Sequence, residues 1–307
     1  MPDAVIIIPH FNDGTRLQRC LDALVPQLSD GRAEAVVVDN GSTEDLSALQ
    51  ARHPQVRWLT EPRKGAAAAR NAGVAGTTAP RLFFLDADCV PAADWVAAAL
   101  AVAAEGSVVG GAVRVFDETP PPRNGAQAFE TVFAFQNRRY IEREGFAVTA
   151  NLVTTRAVFE ATGPFRPGVS EDVDWCRRAV AHGFRLMYSD RLRVSHPSRS
   201  DWAQLRRKWL RMTQEGLGVN GASPAARLRW GLRALLMPVS ILVHGPVVLR
   251  HPGLASARER RAALATLARL RLQRMVWMLG QVFAGGDGRS GAQDENKWGH
   301  RPRRHDR

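Results

Sequence analysis

Leu82-Phe83-Phe84-Leu85-Asp86-Ala87-Asp88 is the stretch on which the fold of this chain turns. Four consecutive apolar residues are too short for a buried helix and lack the alternation of a one-sided strand. They describe a strand covered on both faces, with two carboxylates directly after it. The same grammar recurs upstream. Residues 5–8 (Val-Ile-Ile-Ile) run into Pro9-His10-Phe11-Asn12-Asp13, residues 35–38 into Asp39-Asn40-Gly41-Ser42-Thr43, and residues 56–59 toward Glu61-Pro62-Arg63-Lys64-Gly65. Helix-forming segments at 15–28, 44–52 and 66–75 separate these runs. Alternating strands and helices predict an α/β fold, a mostly parallel central sheet flanked by helices. Ligands of such sheets bind beyond the carboxyl ends of the strands, which is where the acids and turn residues gather.

Further along, 108–116 reads as another strand, 119–125 as a proline-rich break and 127–140 as a helix. A polar cluster at 170–174 precedes a helix at 175–182, closed by Gly183, and strand-like runs at 185–188 and 192–194. From residue 201 the character changes. Residues 235–249 are apolar but contain two prolines, a glycine and His244, and fall short of the ~20 residues that a spanning helix needs. From Ala262 the pattern is helical, with Ala268, Leu272, Met275, Val276, Leu279, Val282 and Phe283 on one arc about 120° wide. The organisation expected is a catalytic α/β domain over 1–220, a basic amphipathic helical extension over 221–284, and a Gly-, Ser- and Arg-rich tail over 285–307 expected to be disordered.

Composition narrows the function. The 307 residues include 45% hydrophobic side chains, which excludes a wholly disordered chain, and carry 42 Lys plus Arg against 30 Asp plus Glu. That surplus is localised: residues 1–200 hold 22 basic and 23 acidic side chains, residues 201–307 hold 20 and 7. Arg outnumbers Lys 39 to 3, which reads as a coding bias and not as a demand for phosphate contacts. Cys20, Cys89 and Cys176 stand far apart in no metal-ligand spacing, so a reduced cytosolic compartment is expected. Met1 leads directly into the first strand without a basic segment and a long apolar one, so a secretory signal is not expected.

Four places carry candidate chemistry. Asp86 and Asp88, at i and i+2 of an extended segment, can share one hard cation such as Mg²⁺ or Mn²⁺; alternatively they only end a strand and cap the helix that follows. Asp39 can accept a hydrogen bond from a ribose or base edge while the turn behind it offers N–H groups to an anion, or it can belong to a turn and nothing more. Within Glu171-Asp172-Val173-Asp174 one carboxylate can act as a general base if it reaches within ~3 Å of a hydroxyl, or all three can simply face a helix N-terminus. His196 gains a metal role only if Asp88 lies beside it.

Taken together, Ile6-Ile7-Ile8-Pro9, Val37-Val38-Asp39-Asn40-Gly41-Ser42-Thr43, Gly65 with Ala69-Arg70-Asn71-Ala72-Gly73, Phe84-Leu85-Asp86-Ala87-Asp88, Gly163-Pro164-Phe165, Glu171-Asp172 and His196 follow the order seen in family 2 glycosyltransferases. Over residues 3–215 the chain resembles a GT-A enzyme of that family, with its nucleotide-diphospho-sugar transferase fold. The resemblance implies a metal-dependent, inverting transfer of a sugar from a nucleotide-diphosphate donor, such as a UDP-sugar, to an acceptor hydroxyl in cell-surface glycan or glycolipid synthesis. It places Pro9 and Asp39 at the base and ribose, Arg70 and Asn71 near the ribose and diphosphate, and Asp86 at the donor and metal. It also assigns the divalent cation, Mg²⁺ or Mn²⁺, to Asp88 and His196, and implies that Asp172 is the base, with Glu171 beside it. Asn40 stands where a second Asp is common and removes one charge near the base, and Pro164 replaces a common Gly. Gln204-Leu205-Arg206-Arg207-Lys208-Trp209 only approximates the Gln-x-x-Arg-Trp of processive members, its Trp one position late.

Other readings explain less. A nucleotidyltransferase would carry a Gly-rich, Lys-containing loop where Pro9-His10-Phe11-Asn12-Asp13 stands. A nucleic-acid-binding protein would use the basic third but leave the acid-rich strand ends idle, and a catalytically inactive GT-A-like scaffold would differ in showing no metal-dependent transfer. The basic extension, with Trp230 and Trp277 near its apolar arc, fits an anionic membrane surface, against simple packing on the catalytic domain. The expectation is a cytoplasmic enzyme, peripheral on the inner face of the membrane, acting on a glycan or lipid-linked acceptor.

Overall fold

A computed structural model of the protein describes residues 2–103, 106–220 and 223–283; the tail expected at 285–307 lies outside the described residues. The first strands are β1 (Ala4–His10), β2 (Ala33–Asp39), β3 (Arg57–Thr60) and β4 (Arg81–Leu85). They pair in parallel in the order β3-β2-β1-β4, joined through α1 (Gly14–Leu24), α2 (Ser47–Arg52) and α3 (Ala66–Ala75). The helix expected at 15–28 ends at Leu24 and tightens into a 3₁₀ turn over Val25–Leu28, because Pro26 lacks the N–H that would continue the ladder.

Alternate side chains of each strand face opposite layers, so one apolar run feeds two cores. Ile6, Ile8, Val37, Phe83 and Leu85 pack with Leu17, Leu21 and Leu24 of α1 on one side. Val5, Ile7, Val36, Val38, Leu82 and Phe84 pack with Ala67, Ala69 and Val74 of α3 on the other. Cys20 and Cys89 lie in the first core and Cys176 in the second, all three as free thiols.

The sheet is mostly parallel, as expected, with four of its seven pairings parallel among the described residues, and its second half adds the antiparallel ones. After β5 (Val90–Pro91), α4 (Trp95–Val102), β6 (Ser107–Phe116), α5 (Gly125–Phe133) and the short α6 (Asn137–Arg139) comes β7 (Asn151–Thr155). This strand inserts antiparallel between β4 and β6 and was not legible as an apolar run. Its polar side chains are buried and satisfied: Asn151 accepts from Trp95 Nε1 at 2.9 Å and donates to the Ala112 carbonyl at 3.0 Å, and Thr154 donates to the Ser107 carbonyl at 2.9 Å. Then follow α7 (Arg156–Thr162), α8 (Glu171–Ala181) and β8 (Arg185–Pro197), the last fusing two runs expected to be separate. β8 is parallel to β6 and antiparallel to β5, giving an eight-stranded mixed sheet ordered β3-β2-β1-β4-β7-β6-β8-β5. The β6–β8 register breaks between Gly111 and Ala112, where the partner jumps from Ser189 to Arg193. Gly111 is required there, since a Cβ would lie 2.2 Å from Asn151 Nδ2 and 2.4 Å from Leu192 Cβ.

The helix expected at 127–140 is two pieces, α5 and α6, with α6 running into a π-helical turn over Tyr140–Glu144. The C-terminal helices are α9 (Trp202–Asn220), α10 (Pro224–Leu235), α11 (Met237–Arg250) and α12 (Ala257–Phe283). They do not form a separate appendage. α5 joins them: Ala126, Phe129 and Val132 pack with Leu205, Val248, Ala263, Leu267 and Leu270. The apolar arc expected on α12 is also corrected. Its buried apolar positions are Ala263, Leu267, Leu270 and Met278; Met275, Leu279 and Val282 cover Trp230 and Ala234, while Leu272, Val276 and Phe283 are exposed. The helix meets α5 along its first half and α10 along its second, so it buries two offset strips where a single period would predict one.

Gly111→Ala is expected to destabilise the protein by about 2 kcal/mol or more through overpacking at the β6–β8 break. Gly280→Ala, in open space on α12, is expected to stabilise by about 0.5 to 1 kcal/mol. Urea unfolding of both variants checks the pair.

Candidate active site

Strand polarity builds the site. β1, β2, β3, β4, β6 and β8 all end on one rim, and antiparallel β7 begins there, Leu85 lying opposite Asn151. At the β1 and β2 ends, Asp39 accepts the Ser42 N–H at 3.1 Å and stands 3.6 Å from Nδ1 of the buried His10. Asn12, held at a positive φ of 48°, accepts the Thr43 N–H at 2.8 Å and binds Ser42 Oγ through its own N–H, so the two loops are cross-linked beside Pro9. Phe11 is exposed, with the Lys64 ammonium 4.2 Å from its ring centre.

Asn40 is not aimed at the base. Its buried amide donates to the Glu61 and Arg63 carbonyls at 2.8 and 2.7 Å and accepts the Gly65 N–H at 2.7 Å. An acid cannot make the two donated bonds, so the Asn is a latch between loops and not simply a missing charge. Asn71 is equally occupied, donating to the Phe165 carbonyl and accepting its N–H at 2.9 and 3.0 Å, which ties α3 to the Gly163-Pro164-Phe165 turn.

At the centre lies Arg70, almost completely buried on α3. It donates to Asp86 at 2.6 Å and to Glu171 at 2.9 Å, joining the end of β4 to the first turn of α8. The chain turns directly after β4, with the Cys89 N–H bonded back to the Asp86 carbonyl, so Asp86 and Asp88 do not face alike as an extended pair would. Asp86 turns to Arg70 and Asp88 to His196. Asp172 follows Glu171 in the same first turn and accepts the Val173 N–H at 2.9 Å. Burial, and then the adjacent Glu171 charge, push its carboxyl up to about 7, Arg70 only partly opposing them. Asp174, by contrast, is spent on Arg178 at 2.9 Å.

On the other flank His196 Nε2 lies 3.0 Å from Asp88 Oδ2, while Nδ1 reaches the Pro197 carbonyl at 2.7 Å. A carbonyl accepts only, so Nδ1 carries the proton, and in the neutral ring Nε2 presents a lone pair to a carboxylate. Two acceptors that close need positive charge between them, from a proton or from a shared cation, and the O,N donor set suits a divalent ion. Burial works against ionised Asp88, but the charge and hydrogen bond of His196, backed by Arg199 and Arg16, outweigh it and hold the acid below its ordinary range. Among the described residues no group of three or more His, Cys, Asp and Glu is arranged to hold a metal. A cation here would complete its shell from substrate oxygens and water, as Mg²⁺ commonly does.

Asp88 and His196 open into a cavity of about 520 Å³ whose other walls include Arg16, Arg199, Arg207, Lys208 and Arg211. These cations were not singled out from the sequence; only the Gln204 to Trp209 segment marked their neighbourhood. Glu130 of α5 anchors two of them, accepting from Arg199 and Lys208 at 2.9 Å each. Burial, and then Arg199, lower the Lys208 ammonium to about 8 despite Glu130.

The chain has relatives among known proteins. The family model for glycosyl transferase family 2 matches residues 5–163. The chain belongs to that family. Over 212 residues it is 30% identical to glycosyltransferase AglE of Haloferax volcanii, covering 65% of this chain and 68% of that protein. It is 28% identical over 214 residues to the pre-mycofactocin glycosyltransferase of Mycobacterium tuberculosis, of whose length it spans only 44%. A shorter match, 31% over 87 residues, is to the uncharacterized glycosyltransferase YibD of Escherichia coli, covering 27% of this chain and 25% of that one. This family 2 glycosyltransferase thus brings Asp86, Arg70, Glu171 and Asp172 together on one flank and Asp88 and His196 on the other, with Pro9 and Asp39 at the β1 and β2 ends.

Asn40→Asp is expected to destabilise the enzyme by about 2 to 4 kcal/mol, by facing a buried carboxylate with two carbonyls. Thermal unfolding at neutral pH checks it, and a variant as stable as the wild type would remove the latch.

Proposed function

We propose that this glycosyltransferase moves a sugar from a nucleotide-diphosphate donor to an acceptor hydroxyl with inversion, using a divalent cation. The observation that carries the reading is the division of the site: a carboxylate raised toward neutrality on one flank, and an acid–imidazole pair opening into a basic cavity on the other. Pro9 and Asp39 receive the base and ribose of a UDP-like donor. Arg70 fixes Asp86 and Glu171, and so the edge of the donor pocket and the turn that carries the base. Arg199, Arg207, Lys208 and Arg211 attract the diphosphate. Asp88 and His196 would hold Mg²⁺ or Mn²⁺, which would offset the negative charge that develops on the leaving diphosphate.

Asp172 takes the proton of the acceptor hydroxyl as that oxygen bonds to the anomeric carbon and the bond to the diphosphate breaks. A base raised to about 7 is half-ionised near neutrality and returns the proton readily, which suits general base work. Attack opposite the leaving group inverts the anomeric centre. The acceptor we propose is a growing glycan or lipid-linked carrier met at the cytoplasmic face of a membrane.

Loss of Asp172 in Asp172→Asn should lower kcat/KM by about 10² to 10⁴ with the fold retained. In the wild type kcat/KM should climb as pH rises through about 7 and then level, because only the ionised form accepts a proton. Stability has the opposite sign. The folded carboxyl is raised above its unfolded value of about 4, so the folded state binds more protons between these values and loses stability as pH rises through that window. Asp172→Asn should therefore gain on the wild type in melting temperature across it, and a constant difference would contradict the raised carboxyl. For the cation, a UDP-sugar should raise the melting temperature further with Mn²⁺ than without. Asp88→Ala should lose that increment, and an unchanged increment in the variant would sink the assignment.

A further inference from the structure

The α10–α11 pair presents an apolar face that nothing among the described residues covers. On α10, Leu228, Leu232 and Leu235 are exposed at i, i+4 and i+7, while the opposite side buries Ala226, Trp230 and Ala234. Across the bend at Leu236 the stripe continues on α11 through Val239, Leu242 and Val243, with Leu242 78% exposed. The two helices meet at 50°, and among the described residues no single helix is long and apolar enough to cross a membrane. Residues 234–249 contain no Asp, Glu, Lys or Arg. The one titratable group in this run, His244, is turned inward: Nδ1 donates to the Ser240 carbonyl at 2.7 Å and the ring meets Phe133 at 5.8 Å.

Charge surrounds this face in one sign only. Arg229 and Arg233 stand before the uncharged run and Arg250 directly after it. Residues 223–283 carry ten Arg and one acid, Glu259, which is buried and accepts the Arg123 and Ala255 N–H groups. An apolar centre with cationic ends matches the acyl-to-headgroup boundary of an anionic leaflet, where Arg side chains reach back to the phosphates. A second copy fits less well, since a two-fold interface would set the same Arg against themselves. Nucleic acid would require the Arg, and not the leucines, at the centre of the face.

We propose that the bent α10–α11 pair is a membrane wedge, which lies in one leaflet of an anionic bilayer without crossing it and holds the enzyme there. This deepens the membrane part of the proposed function and is independent of the chemistry at Asp88 and Asp172. It also narrows the contact, which the sequence pattern gave to the whole basic extension over 221–284. The wedge is one helix from the active site. α9 lines the cavity with Gln204, Arg207, Lys208 and Arg211 and, at Gly216, reaches the Trp230 ring of α10.

The test is flotation of the full chain with phosphatidylcholine vesicles, alone and mixed equally with phosphatidylglycerol. The wild type should float with the mixed vesicles and much less with the neutral ones. Leu242→Glu/Val243→Glu should bind the mixed vesicles at least about tenfold less. Arg229→Gln/Arg233→Gln/Arg250→Gln should lose only the preference for phosphatidylglycerol. As a second measurement, the three native thiols are buried, so a polarity-sensitive dye placed through Leu242→Cys should shift to the blue on the mixed vesicles, whereas one placed through Arg57→Cys on β3 should not. A wild type that stays in solution with both vesicles, a double Glu variant that floats as the wild type does, or a dye shift equal at both positions overturns the wedge. So does a double Glu variant that only converts a dimer to a monomer with vesicle binding unchanged. Asp88→Ala should float normally, and Leu242→Glu/Val243→Glu should keep its turnover of donor in solution, so failure of the wedge and failure of the catalytic reading are separate results.

Discussion

The guanidinium of Arg70 is the charge around which the site is arranged. It is almost wholly removed from water, its Nε finds no hydrogen-bond partner among the described residues, and its charge is compensated by the two carboxylates that it binds, Asp86 and Glu171, with that of Asp172 behind them. A buried cation of this kind is tolerable only while both acids stay ionised and in place. The requirement fixes the end of β4 relative to the first turn of α8, segments that the sequence separates by 85 residues, from Asp86 to Glu171. It also sets the environment of Asp172. With Arg70 committed to its two partners, the neighbouring carboxyl feels burial and the Glu171 charge more strongly than the cation.

Much of this was legible in residue types and little of it in orientation. The first four strands could be read because each is an apolar run that needs no polar partner. β7 could not, since Asn151 and Thr154 are tolerable in a buried strand only through bonds to Trp95, Ala112 and Ser107, which no local pattern announces. Asp86 and Asp88 stood out as acids after a strand, yet the turn at Ala87 that sends one to Arg70 and the other to His196 is a tertiary outcome. Asn40 and Asn71 illustrate the limit most clearly. Both lie beside the site and both are consumed in holding backbone. The cations of the cavity escaped notice because Arg is abundant throughout the chain, so an Arg on α9 carries no signal until the fold places it.

The charge asymmetry along the chain resolves into two uses of arginine. Around Asp88 the cations are neutralised in part by acids of the catalytic layer: Glu118 holds Arg16 and Arg19, and Glu130 holds Arg199 and Lys208. Such pairs hold the basic side chains of the cavity in place. On α10 to α12 the acids are almost gone, and several Arg lie instead over aromatic rings, as Arg269 does on Trp202 at 4.0 Å and Arg274 on Trp209 at 4.6 Å. Cation–ring stacking lets a guanidinium cover apolar surface without cancelling its charge.

The polarity of β7 leaves one rim of the sheet with the candidate site residues and the other without them. Because β7 runs backward between β4 and β6, those two stay parallel, and the starts of β1, β2, β3, β4, β6 and β8 all collect at the far end of the sheet, near the turns at Gly31, Gln55, Thr77 and Gly183. Those connections carry none of Pro9, Asp39, Arg70, Asp86, Asp88, Glu171, Asp172 and His196, and surface loops of this sort accept extra chain at small entropic expense. The far rim is where a tag, a fused module or a lineage-specific insertion can be added to this enzyme without touching its catalysis.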